Sequence, residues 1–509
     1  MTTPSRRMLM AQAAALAGAA LAPSAWTSAT ARTRLADDPF TLGVASGEPE
    51  PHGVVIWTRL APRPLEPDGG LGRDPIPVRW EVATDERFRR IVAGGHQLAV
   101  AEAAHSIHVE VAGLKPDHAY WYRFTAGGHA SPVGRTRTAP APGAAVQHLR
   151  VAYSSCQKYE AGYYAAHRGM AADAPDLILF LGDYIYEGAA NPGVRSHPPF
   201  EAQNLATYRA RYGLYKSDPN LQAAHAAAPW MVIWDDHEVA NDYGDDQDRS
   251  NPDPAAFLAR RAAAYQAYYE HMPLRRRAQP VGPQMQLYRA LDWGRLAQFQ
   301  FTDTRQYRNH RTCDVQSEGK WIPADCAERT DPARSMLGAA QERWLTHTLA
   351  GSTAKWNLLS QQCLMADLEE DGRYSNDGWG GYAQTRRRVL ETWRDAKVSN
   401  PIVLSGDIHC FIAGDLALEA GGRPIASEFV GGSISSLGIQ NAQLAKVRVD
   451  NPLLKFAEGE LRGYGLVDLT PKGCAVTFRA VENAHNPVSP VSDLVRFTVE
   501  DGAAGVQRA

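Results

Sequence analysis

A chain of 509 residues is longer than one ordinary hydrophobic core supports, so more than one folded part is expected. Its 44% hydrophobic and 21% charged residues are those of a soluble globular protein, and a net charge of −3 argues against a nucleic-acid partner. Six cysteines are too few for a disulfide scaffold.

Residues 1–31 differ from the rest. Ser5-Arg6-Arg7-Met8-Leu9-Met10 carries paired arginines, an Ala/Leu-rich run follows, and Ala29-Thr30-Ala31 has a small-x-small cleavage pattern. This predicts a twin-arginine signal peptide, with the twin-arginine export machinery as a partner and a periplasmic or secreted destination. The apolar run from Ala11 to Leu21 is too short for a membrane span, which needs roughly 20 residues.

From 38 to 142, short alternating runs such as Gly53-Val54-Val55-Ile56-Trp57-Thr58 are broken by Gly and Pro, the pattern of an all-β sandwich. The stretch from Leu114 to Phe124 resembles the corner and following strand of a fibronectin type III or Ig-like domain. A Pro/Ala/Gly-rich linker at 138–143 marks a boundary. From 148 to 500 continuous apolar runs alternate with helical segments, an α/β arrangement. Helices are predicted over 159–172, 204–216, 253–272 and 334–349, and strands from 463 onward. Cys313 and Cys326 flank a polar loop and form the candidate disulfide, while Cys363, Cys410 and Cys474 read as packed thiols.

Within the 148–500 segment one arrangement recurs: a buried apolar run ends and metal-binding or acid/base side chains begin at once. It precedes Ser154-Ser155-Cys156-Gln157, Gly182-Asp183-Tyr184-Ile185-Tyr186-Glu187, Asp235-Asp236-His237-Glu238 with Asn241 and Asp242 beyond, and Ser405-Gly406-Asp407-Ile408-His409. Weaker instances precede Thr302-Asp303-Thr304-Arg305 and Ser360-Gln361-Gln362. Strands of one sheet deliver their C-terminal ends to a common edge, so these clusters are expected to converge. Converging carboxylates repel one another unless a cation sits among them, which argues for bound metal.

Gly182, Asp183 and Tyr186, the 235–238 segment and Gly406-Asp407-Ile408-His409 resemble the motifs of calcineurin-like metallophosphoesterases, specifically the PhoD-type alkaline phosphatases. Ser155-Cys156-Gln157 and the opening Phe40-Thr41-Leu42-Gly43-Val44-Ala45-Ser46-Gly47 extend the match across nearly the whole chain. The wider superfamily has Gly-Asn-His-Glu where this sequence has Asp235-Asp236-His237-Glu238, and Gly-His-x-His where it has Gly406-Asp407-Ile408-His409, an exchange of nitrogen ligands for oxygen that favours Ca²⁺ over Zn²⁺.

The resemblance implies two packed mixed β-sheets flanked by helices, one Fe³⁺ and two Ca²⁺. Cys156, Asp183 and Tyr186 would hold iron, with Asp183 bridging to calcium. Asp235, Asp236, Asn241, Asp407 and His409 would complete the set. His237 would be the catalytic histidine beside Asp183. Apart from the resemblance, Arg209 or Arg211 in Tyr208-Arg209-Ala210-Arg211-Tyr212 offers a phosphate clamp, with a solvated helix face as the alternative. The implied reaction is hydrolysis of small phosphate monoesters at alkaline pH by a metal-held hydroxide or oxide. The competing expectations are a phosphodiesterase of phospholipase D-like activity on the same core, and a calcium-stabilised extracellular binding protein.

Overall fold

Short, unbroken apolar runs make strands that are covered on both faces. In the computed structural model, which describes residues 34–248, 253–313 and 320–509, the strands Leu149–Ser154, Leu177–Leu181 and Trp230–Ile233 pair in parallel and are almost wholly buried. Antiparallel strands Arg462–Thr470, Gly473–Val481 and Val491–Glu500 extend them on one side. On the other side Val44–Glu50 joins through the pair Gly47 and Trp230, followed by Gly53–Arg59 and Ser106–Ala112. The result is a mixed ten-stranded sheet. The predicted signal peptide lies outside the described residues.

A second sheet of seven strands has a parallel centre, Ala297–Phe301, Trp356–Ser360, Pro401–Ser405 and Ala426–Gly431. The two sheets share one apolar core. Phe411 and Phe429 of the second sheet meet Phe478 and Phe497 of the first, with ring centroids 5.1 Å (Phe411 and Phe478) and 6.0 Å (Phe429 and Phe497) apart.

The segment 38–142 builds two layers around a cluster that includes Val54, Ile56, Val78, Tyr122 and Phe124. One layer is a five-stranded sheet containing Ile76–Ala83 and Ala119–Ala126. The other is the set of three strands from Val44 to Ala112 already named, so the ten-stranded sheet runs through both parts of the chain. Side chains reinforce the seam: Trp57 Nε1 donates to Glu270 O at 3.0 Å, and the Arg59 guanidinium to His271 Nε2 at 2.8 Å. Leu35–Ala509 accordingly forms one compact unit.

Two predicted helices match their capping chemistry. Asn204 and Thr207 form a reciprocal capping box for Leu205–Lys216, and Asp253 caps Pro254–His271. Two others begin later than the sequence suggests. The 159–172 helix starts at Ala165, because the chain first makes a tight turn at Tyr159–Ala161 and runs extended through Gly162. The 334–349 helix starts at Gly338, because the N–H groups of Ser335, Met336 and Leu337 are taken by Asn309, Thr385 and the Ser335 hydroxyl. Among the described residues no helix is long and apolar enough to cross a membrane.

Phe478 stands where rings from both sheets meet. Phe478→Ala is expected to lower unfolding stability by about 3–5 kcal/mol in denaturant titrations; a loss below about 1 kcal/mol would show that the sheets do not depend on this contact.

Candidate metal centre

The parallel strands of both sheets end at one edge, and the residues just beyond them carry the chemistry. Leu149–Ser154 leads to Cys156, Leu177–Leu181 to Asp183, Trp230–Ile233 to Asp235, Asp236 and His237, and Pro401–Ser405 to Asp407 and His409. Backbone hydrogen bonds continue beyond the strands, from Cys156 N to Gly182 O at 3.1 Å and from Gln157 N to Asp183 O at 3.1 Å. Close approach demands glycine at two motif positions. A Cβ on Gly182 would meet Asp235 Cβ at 2.4 Å, and one on Gly406 would meet Ser155 Oγ at 2.2 Å.

The turns that aim these side chains are strained. Cys156, Asp183, Asp242, Asp407 and His409 all have φ between 57° and 64°, a left-handed conformation that ordinary L residues avoid. Glu238 helps to hold them, since its carboxylate accepts the N–H groups of Asp183, Tyr184 and Asp235 at 3.1, 2.6 and 2.9 Å. Gln157 is a brace rather than a ligand, bonded to His167 and to Tyr184 O.

Atoms that could bind a metal gather in overlapping groups, the members of each lying within 4.8 Å of one another. Cys156, Asp183 and His409 form one, and Asp183, Asp236 and His237 another, so Asp183 is shared. A third comprises Asp235, Cys363 and Asp407, and a fourth Asp236, Asp242 and Asp377. Tyr186 lies against the first group, its hydroxyl 2.9 Å from Asp183 Oδ2 and 3.1 Å from His409 Nε2. His409 Nδ1 is 2.7 Å from Leu437 O, which places the ring proton there and leaves the Nε2 lone pair facing the cluster. Burial lowers the His409 pKa to about 4, so the ring is neutral and available as a ligand.

So many buried acids are costly together. Burial pushes Asp235 up to about 8, against the opposing charge of Arg305, and burial with Asp377 pushes Asp407 up to about 7. Burial likewise raises Glu238 to about 8, and holds Asp183, Cys156 and Tyr186 well above their ordinary ranges. The Oδ1 atom of Asp183 is buried with no hydrogen-bond partner. For Asp236 burial is outweighed by Arg305 and His237, which keep it ionised. Burial also opposes charge on His237, but Glu187, Asp236 and Asp183 prevail and raise its pKa well above the usual imidazole value. Glu187 Oε2 sits 2.7 Å from His237 Nδ1, and its other oxygen accepts Asn241 N at 2.7 Å.

Several participants escape the motif reading. Arg305 is fully buried, forks onto Asp235 and reaches Asp377 at 2.8 Å. Asp377 is also held by Arg308 at 3.0 Å and faces Lys320 at 3.4 Å. Cys363, expected as a packed thiol, is buried but belongs to the third group. The weaker end-of-strand instances included Arg305 in 302–305 and stopped at 362, one residue before Cys363; nothing in the sequence around Asp377 marks it.

Three expected residues lie differently. The Arg211 guanidinium is buried and spent on the carbonyls of Tyr186, Gly188 and Phe200, and Arg209 forks onto Glu270, so neither is free to clamp phosphate. Asn241 is exposed and touches the site through its backbone N–H. Cys313 and Cys326 are joined by a disulfide.

Comparison with known proteins identifies the family. The family model described as PhoD-like phosphatase matches residues 151–478, and that of the PhoD-like phosphatase N-terminal domain matches 25–140. Alkaline phosphatase D of Bacillus subtilis (strain 168) is 43% identical over 486 residues, covering 92% of this chain and 82% of that protein. A solved structure titled "Structure of PhoD" superposes with a TM-score of 0.89 at 42% identity, over 94% of this chain and 93% of that one. The chain belongs to the PhoD-like phosphatase family, and is a phosphoester hydrolase.

Proposed function

We propose that this phosphatase is exported and metal-dependent, that it hydrolyses small phosphate monoesters at alkaline pH, and that cations bind in the acid cluster. The observation that carries the reading is Asp183: it is shared by two ligand groups, and one of its oxygens is buried without a partner. Cys156, Asp183 and Tyr186 offer thiolate, carboxylate and phenolate donors whose negative charge suits Fe³⁺, with the neutral His409 imidazole beside them. Asp235, Asp236, Asp242, Asp377 and Asp407 offer hard oxygens suited to two Ca²⁺, with Asn241 beside them. The Arg209 and Arg211 clamp is not carried forward. The family assignment sets aside the binding-protein alternative, and residues 1–31 support export.

Bound cations supply neutralisation of phosphate charge and an activated water. The chain supplies the rest. Glu187 fixes His237 through Nδ1, leaving Nε2 as a proton donor to a phosphoryl or departing oxygen, and the surrounding carboxylates keep that proton in place. A cavity of about 340 Å³ opening beside Asp407 and His409 leaves room for a second substituent on phosphorus, which favours diester hydrolysis as the second reading.

The test is hydrolysis of a chromogenic monoester and its matching diester before and after calcium chelation, with metal analysis of the same sample. Loss on chelation and recovery with calcium, in protein that retains iron, is expected; no activity on either ester with metals present would refute the reading. Asp183→Asn is expected to lower kcat by more than the ~10–100-fold typical of residues behind a metal ligand, with cooperative unfolding retained. Wild-type-like turnover would refute its bridging role.

The raised acids also set a pH dependence. Unfolded carboxyls titrate near ~4, whereas Asp235, Asp407 and Glu238 titrate at about 8, 7 and 8 in the fold. A folded pKa above the unfolded one stabilises at low pH, and that stability is lost as pH rises through 7 and 8; raised His237 acts with the same sign. Metal-stripped protein is therefore expected to melt progressively lower between pH 6 and 9, and metal-loaded protein to resist the fall. Parallel pH profiles for the two would contradict the cation requirement.

A further inference from the structure

The cavity beside the acid cluster is lined by three of its members, Asp377, Asp407 and His409, and by the aliphatic walls Leu364, Leu368, Ile408, Ile439, Leu444 and Val447. About 340 Å³ falls within the roughly 300–1,000 Å³ range of small-molecule sites. The walls are preformed rather than loose. Leu444 and Val447 project from the helix Asn441–Asp450 and pack with Leu364, Cys410 and Leu454 in a small apolar core of their own.

Polar side chains also line it: Lys320, which faces Asp377 at 3.4 Å, and Glu370 and Gln443, which are joined at 3.2 Å. A sugar or nucleobase seated along these walls would leave its hydroxyls or ring nitrogens unpaired, at a cost an alkyl chain does not incur. Leu437, 72% exposed, carries the apolar character out to the surface at the same lining. Its carbonyl is the acceptor that orients His409, so one segment positions a ligand and shapes the cavity.

We propose that this cavity is the subsite for the organic group of the substrate, and that the preferred substrates are phosphoesters of alkyl alcohols, with the chain lying between the helix Asn441–Asp450 and the Leu364–Leu368 segment. The proposal rests on the metal-dependent reading above and adds a substrate class to it. It holds for a monoester, whose alcohol would occupy the cavity, and equally for a diester, in which either group would.

The test measures binding rather than turnover. The n-alkylphosphonates from methyl to octyl carry the same headgroup with increasing apolar length, and their Kd on metal-loaded, full-length protein is read by calorimetry. Kd is expected to fall about threefold per added methylene until the cavity is filled. Leu368→Asp, at a half-buried wall position, is expected to weaken octylphosphonate about tenfold and methylphosphonate far less. A Kd independent of chain length in the wild-type protein would overturn the proposal and leave the phosphoesterase reading standing. Failure of every phosphonate to bind would overturn both.

Discussion

Mutual repulsion among buried carboxylates is the constraint on which the site is built. Asp183, Asp235, Asp236, Asp242 and Asp377 are brought together out of water with the half-buried Asp407, where like charges cannot all remain ionised without compensation. Arg305, Arg308, Arg311 and Lys320 provide part of that compensation, and they are concentrated on Asp235, Asp242 and Asp377. Asp183 instead faces the protonated His237, and its other neighbours, Cys156, Tyr186 and His409, carry donor atoms that a metal could use.

The fold meets this requirement by spending stability at the strand ends. Parallel strands in two packed sheets carry the ligands to one edge, and a run of left-handed turns then points them inward. Such turns persist only where surrounding structure over-determines them. Glu238 tying together the 183 and 235 loops, glycine at 182 and 406, and Gln157 bracing the 184 loop are the means. The extension of the ten-stranded sheet by Val44–Glu50, Gly53–Arg59 and Ser106–Ala112 gives that edge a broad, rigid base.

Much of this was legible in the sequence because each ligand group follows its strand without interruption, so an apolar run and its polar sequel can be read together. What was not legible depends on distant partners. Asp377 follows no apolar run, and only the fold brings Arg305 and Arg308 to it. Cys363 looks like any packed thiol until Asp235 and Asp407 are seen beside it. Arg209 and Arg211 show the converse: a basic pair near acidic motifs invites a phosphate-binding role, but composition does not reveal that Glu270 and three carbonyls already claim them. The seam between the two parts of the chain was equally hidden, since the parallel junction rests on the Gly47 and Trp230 pairing.

The central claim is that cations, not protons, balance the acid cluster at the working pH. Proton release on metal binding tests it directly, because a carboxyl must lose its proton to become a ligand. Calcium is titrated into metal-stripped protein near pH 6.5, in buffers of different ionisation enthalpy, and the protons released are obtained from the difference in heat. With Asp407 near 7 and Asp235 near 8 before binding, the account predicts clear proton release that is lost in Asp235→Asn and Asp407→Asn. Calcium binding without proton release, or no binding at all, would contradict it.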